Sequence, residues 1–213
     1  MGIHESQSRF WENVLGRSLP FWKTFFPLLK SYFPGELAQA NAESFYRAAN
    51  EARPSLIRVD ADEVSYSLHI ILRFELEKKL FSGELDPANL PGVWRQRMKE
   101  ILGVEPETDA DGVLQDTHWS GGAFGYFPSY ALGNLYGLQF YQKLKADFPN
   151  FPEGAEKDNF SALHAWLKDN IYVWGHRLEP RELLKKVTGQ SLSAEPFLEY
   201  IEGKYRDIYG IPG

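Results

Sequence analysis

The segment Asp60-Ala61-Asp62-Glu63 stands directly before a stretch in which Val64, Leu68, Ile71, Leu72, Glu75 and Leu76 recur at close to the helical period. Acidic groups there cap free backbone donors and suit the positive end of a helix dipole, and Lys78-Lys79 suits the other end. The pattern predicts a helix of roughly twenty residues ending at Ser82-Gly83. The same period places a helix over 6–16, with Phe10, Val14 and Leu15 on one face. Short aromatic helices are expected from Pro20 onward, punctuated by Pro27 and Pro34, with a further helix over 36–50. Later come a loop and helix over 86–102 centred on Trp94 and Met98, a long helix over 128–146, and helices near 159–174, 180–187 and 194–209. Strand character is confined to Leu56-Ile57-Arg58-Val59. The fold class expected is all-α, mostly helical with at most a very small β element, and one helical unit over residues 1–213.

Composition removes several classes of function. The 213 residues include no cysteine, which excludes a disulfide scaffold, a thiolate zinc site, an iron–sulfur cluster and a cysteine nucleophile. Twenty-three basic against 29 acidic side chains leave a net charge of −6, which argues against broad nucleic-acid or anionic-membrane binding. No apolar run approaches the ~20 residues that cross a bilayer. Met1-Gly2 with Ser6 fits a loose myristoylation pattern, but no polybasic second anchor follows. The compartment expected is a reducing cytoplasm.

The residues that could carry chemistry gather around three glycines, Gly121, Gly122 and Gly125. The cluster lacks the spacing of a phosphate loop or a dinucleotide fingerprint, so its plain reading is a turn before a helix. Its neighbours make it more interesting: Asp116 and His118 precede it, and Tyr126 and Tyr130 follow. A carboxylate, an imidazole and two phenols at a loop–helix junction could move a proton and donate to an oxyanion. Arg58, just before an acidic helix start, reads either as an ion-pair partner or as a clamp for a carboxylate. His4-Glu5 offers metal-ligand chemistry, although adjacent helical residues point about 100° apart. His69 reads as a satisfied core residue, and His164 and His176 have no partner at ligand spacing.

Three segments, in order, carry a family resemblance. His4-Glu5-Ser6-Gln7-Ser8-Arg9, Ile57-Arg58-Val59-Asp60-Ala61-Asp62-Glu63 and Gly112-Val113-Leu114-Gln115-Asp116-Thr117-His118-Trp119 resemble the HES(Q/G), IRxxAD and GxxQDxHW motifs of the carboxypeptidase Taq metallocarboxypeptidases. The intervening text is similar as well, so the resemblance runs from residue 3 to the C-terminus. Members of that family carry an HExxH helix upstream of HES, which supplies two zinc ligands and a general-base glutamate. Here His4-Glu5 continues as Ser6-Gln7-Ser8, and no HExxH occurs in the 213 residues. The chain therefore resembles the C-terminal half of a helical, cleft-bearing metallopeptidase.

The resemblance implies the following roles. Glu5 matches the third zinc ligand, with His4 as its neighbour. Arg58 matches a position that recognises the substrate's terminal carboxylate, and Asp116 orients the loop on the substrate-binding side. His118 matches a histidine that hydrogen-bonds the peptide or the tetrahedral intermediate. Tyr130 aligns with the oxyanion-stabilising phenol, with Tyr126 as runner-up. The function implied is a fragment of a zinc-dependent carboxypeptidase acting on peptides with a free C-terminus. Zinc, or another divalent metal, belongs to the full-length enzyme, and this chain alone is expected to bind none and to be inactive. A homodimer or self-association is implied, with no nucleic-acid or membrane partner. The alternative is a non-catalytic helical peptide-binding or scaffold domain derived from that family.

Overall fold

Proline at the start and glycine at the end delimit several helices, because proline's missing N–H is spare in a first turn and glycine tolerates the left-handed backbone that closes a last one. The structure, a computed structural model, describes residues 1–149 and 157–212. Among the described residues the helices run α1 (Gly2–Arg9), α2 (Leu19–Tyr32), α3 (Ala42–Ala49), α4 (Tyr66–Ser82), α5 (Leu90–Leu102), α6 (Pro128–Asp147), α7 (Lys157–Asn170), α8 (Pro180–Thr188) and α9 (Glu195–Tyr209). A π-helical turn, Phe10–Leu15, continues α1, and α4 stops at Gly83 with φ +78°. No strand occurs among the described residues, so the all-α expectation holds.

Four local expectations need correction. Residues 56–59 form no strand: Arg58–Asp60 is a 3-10 turn, because the Arg58 backbone N–H donates to the Gln115 side chain at 2.8 Å instead of to a neighbouring strand. Pro27 does not break the aromatic segment, which is the single helix α2, capped by Ser18 accepting from the Phe21 N–H. The helix expected from residue 36 begins only at Ala42, where Asn41 and Ser44 cap each other reciprocally at 2.8 and 2.9 Å. Helix α4 begins at Tyr66, later than its acidic lead suggested. Asp62 first closes a turn by accepting from the Val64 and Ser65 N–H groups and the Ser65 hydroxyl.

The chain divides into two compact units, Met1–Asn50 with Gly133–Gly213, and Glu51–Leu132. The division falls inside α6.

The first unit is joined by rings. Trp22 lies 4.4 Å from Phe45, Phe26 lies 5.5 Å from Phe45, and Phe10 meets Tyr141 edge-on at 5.9 Å, while Val14, Leu138 and Phe197 form a further core. A different kind of contact joins α1 to α6. A Cβ added at Gly133 would stand 2.5 Å from the Glu5 Cβ, and one at Gly137 would stand 3.1 Å from the Ser6 carbonyl oxygen. Glycine at these two positions lets the backbones meet.

The second unit has its core between α4 and α5, built on Leu72, Leu76, Leu85, Trp94, Met98 and Leu102. A second cluster, Tyr66, Ile70 and Phe127, backs the glycine-rich loop. The buried face of α4 differs from the one its apolar pattern suggested. Ile71 and Phe74 are exposed, whereas His69, Arg73 and Glu77 are buried.

Candidate functional site

The site in the second unit is built from the Arg58 turn, the loop that runs from Gln115 into α6, and the inner face of α4. Backbone bonds fold the loop into successive turns. The Gly121 N–H donates to the Thr117 carbonyl at 2.9 Å, and the Ala123 N–H donates to the His118 carbonyl at 2.8 Å. These turns bring His118 back toward the start of α6, where Tyr130 is the third residue. His118 Nε2 and the Tyr130 hydroxyl are hydrogen-bonded at 2.9 Å. Phe127 packs against the His118 ring at 4.5 Å, and Tyr126 lies edge-on to Tyr130 at 5.3 Å.

Beneath this pair sits a buried ionic cluster. Asp116 Oδ1 accepts from Arg58 Nε and Nη2, at 3.1 and 2.7 Å, while Oδ2 accepts from Arg58 Nε at 3.0 Å and Arg73 Nε at 2.7 Å. Arg58 also donates from Nη1 to the Tyr66 hydroxyl at 3.2 Å. Arg73 donates to the His69 carbonyl and the Gln115 side-chain oxygen, both at 2.9 Å. The guanidinium carbon of Arg58 lies 4.9 Å from the Tyr130 ring centroid, and that of Arg73 lies 4.7 Å from the Trp94 ring, so both cations rest on aromatic faces.

Two guanidiniums around one carboxylate govern the local titration. Burial raises the Asp116 carboxyl, but the Arg58 hydrogen bonds and the charges of both arginines more than reverse this and hold it below its ordinary value. Burial pulls Arg73 down to about 10, with the Arg58 charge adding and Asp116 opposing. Burial also lowers His118, opposed by Asp116 and assisted by Arg58 and Arg73, which favours the neutral imidazole at pH 7. His69 is fully buried and is lowered to about 4 by burial and then by the Arg73 and Arg58 charges. The expectation of a satisfied histidine fails, since neither of its ring nitrogens has a hydrogen-bond partner among the described residues.

Of the residues singled out in the sequence, Arg58, Asp116, His118, Tyr126 and Tyr130 come together here. Arg58 forms the ion pair of its first reading. Asp116 is engaged by two guanidiniums, those of Arg58 and Arg73. Glu5 belongs to the first unit, on α1, where Ser8 Oγ approaches its carboxylate at 3.4 Å. His4 and His176 of that unit line one cavity of about 510 Å³, their ring centroids 5.7 Å apart. Among the described residues no three His, Asp or Glu side chains are grouped as a metal ion requires, and a catalytic zinc takes three protein ligands. The described residues do not complete such a donor set.

Two participants, Arg73 and Glu77, were given no role by the sequence, and Gln115 stood there only as a letter of the third motif. Glu77 accepts from Trp119 Nε1 at 3.0 Å and from the Gly125 N–H. The signal that could have found Arg73 and Glu77 is their placement beside Leu72 and Leu76, on the face that α4 buries.

The fold is that of a metallopeptidase family. The family model described as carboxypeptidase Taq (M32) metallopeptidase matches residues 1–205, and the chain belongs to that family. It is 49% identical over 210 residues to thermostable carboxypeptidase 1 of Thermus thermophilus, covering 99% of this chain and 41% of that protein. It is 44% identical over 209 residues to carboxypeptidase 1 of Bacillus subtilis, covering 98% of this chain and 42% of that protein. The crystal structure of an M32 carboxypeptidase from Deinococcus radiodurans superposes with a TM-score of 0.93 at 44% identity, covering 99% of this chain and 42% of that one. The chain thus spans about two fifths of the length of the relatives it matches. No described helix is long and apolar enough to cross a membrane.

Proposed function

We propose that these residues form the C-terminal, substrate-cleft half of a zinc-dependent carboxypeptidase that releases C-terminal residues from peptides. The observation that carries the reading is the His118–Tyr130 hydrogen bond, set on a buried cluster of two arginines and one aspartate. With its proton on Nε2, neutral His118 donates to the Tyr130 oxygen and fixes the direction of the phenol. Chained donors polarise one another, which makes the Tyr130 hydroxyl a stronger donor toward an oxyanion. Arg58 donates from all three nitrogens to Asp116 and Tyr66, and its charge beneath the Tyr130 ring favours a substrate carboxylate nearby. Glu5 is one ligand of the zinc, or other divalent metal, of the full-length enzyme. The reading includes a cytoplasmic location and homodimerisation or self-association.

In a full-length protein carrying this segment, Tyr130→Phe is expected to lower kcat by ~10²–10³ with little change in KM, the pattern of an interaction made mainly in the transition state. Tyr126→Phe should do less harm, and reversal of the two effects would assign the oxyanion role to Tyr126. The 213-residue chain by itself should release no C-terminal residue with zinc present. Turnover by the isolated chain would overturn the assignment of the missing ligands and base to a separate segment.

A further inference from the structure

Two side chains one turn apart on α4 grip the loop on either side of His118. Arg73, with its side chain 1% exposed, holds Gln115 and Asp116 on the N-terminal side, at 2.9 and 2.7 Å. Glu77, also buried, holds the C-terminal side: one carboxylate oxygen accepts from the Trp119 indole N–H at 3.0 Å, and the other accepts from the Gly125 N–H. Trp119 directly follows His118, and Gly125 directly precedes Tyr126. The two oxygens of a single carboxylate therefore bracket the turns between them, and Gly125 adopts φ +74° at the point of contact. The Trp119 ring is further wedged edge-on between Trp94 and Phe127, at 6.0 Å from each. A buried carboxylate and a buried guanidinium spaced i, i+4 on a rigid helix are strong, directional anchors, because charge-assisted hydrogen bonds are about twice as strong as neutral ones.

We propose that Arg73 and Glu77 are positioning residues for the candidate active site: a two-point clamp on α4 that fixes where His118 presents its ring to Tyr130. The inference rests on the reading of His118 and Tyr130 as the reacting pair, but its test does not depend on turnover.

The test uses the isotopically labelled 213-residue protein and nuclear magnetic resonance. Glu77→Gln keeps the shape of the side chain but turns an amide NH₂ toward one of the two donors. It should speed hydrogen exchange at the Gly125 N–H, the Trp119 indole N–H or both by roughly tenfold or more. It should also weaken the ring-to-ring contact signal between His118 and Tyr130. Arg73→Lys keeps the charge but cannot span Asp116 and Gln115, and should shift the His118 ring resonances while amides of α9 stay in place. Glu77→Asp retains a carboxylate and should restore part of the protection. If the variants merely lower the unfolding midpoint, with the His118 ring signals and the contact to Tyr130 unchanged in the folded protein, the two residues are structural only and the proposal fails. Should a variant not fold, the unsubstituted protein decides: an indole proton on Trp119 that exchanges as fast as that of free tryptophan overturns the clamp. Unimpaired turnover of Tyr130→Phe in the full-length protein would sink the oxyanion reading yet leave these exchange results standing.

Discussion

In the first unit Phe10, Trp22, Phe26, Phe45 and Tyr141 meet as rings, and in the second Arg58, Arg73, Asp116, Gln115 and Glu77 meet as donors and acceptors. Both sets are largely withdrawn from water, but they constrain the chain differently. Apolar burial is roughly proportional to area and indifferent to direction, so a ring can tilt and still contribute. A shared carboxylate loses most of its value when a guanidinium turns away, and it leaves a buried charge behind. Direction is what a hydrogen-bonded pair needs, and the directional interactions lie beneath His118 and Tyr130.

Substitutions at polar groups of the two units test that contrast, and the largest effect belongs to Asp116. Asp116→Ala leaves two buried guanidiniums facing each other, and should cost about 3–5 kcal/mol in urea unfolding of the 213-residue chain. A loss under about 1 kcal/mol would mean that the cluster is as dispensable as a surface ion pair.

His69 comes next. Its folded value of about 4 lies below the ordinary 6.5, so between those values the unfolded chain takes up a proton that the fold refuses. Stability from this group is complete above pH 6.5 and declines as pH falls toward 4, by about 3 kcal/mol in all. His69→Leu should flatten that part of the acid decline while leaving stability at pH 7 equal or higher, as read from unfolding midpoints at pH 7 and pH 4.5. An unchanged acid slope would place the charge-sensitive element elsewhere.

The smallest effect is expected in the first unit. Ser18→Ala removes one cap at the start of α2 and should cost ~1 kcal/mol, seen as a modest drop in melting temperature. A loss there matching that at Asp116 would erase the distinction between the units.

Where the chain announces its own boundaries, the sequence was legible. Helices α8 and α9 carry proline in the first turn and glycine just past the end, and they fall within a residue of their expected spans, while α5 ends at the expected Leu102, just before Gly103. Residues 56–59 misled because a short apolar run has the look of a strand, while the decisive partner, Gln115, lies 57 residues away. Arg58, Asp116 and His118 stand in the motifs and Tyr130 in similar text beyond them, but their buried partners on α4 were not singled out there. Arg73 and Glu77 are charged residues beside Lys78 and Lys79, and charges on a helix ordinarily face water. Only the buried loop that supplies their hydrogen bonds reverses that rule, and their place beside Leu72 and Leu76 is the one local hint of it. His69 shows the converse: burial was readable, but the lack of partners for its ring was not.

The glycines at 133 and 137 set a tolerance on this molecule measured in fractions of an ångström. Carbon atoms rest at about 3.5–4.0 Å, so a methyl at Gly133, placed 2.5 Å from the Glu5 Cβ, would push α1 away by about 1 Å or more. A metal–ligand bond tolerates only about 0.2 Å. If Glu5 is a ligand, its reach is governed by the absence of a side chain on the helix opposite. Substitutions that preserve every ligand could still detune the centre by thickening this seam.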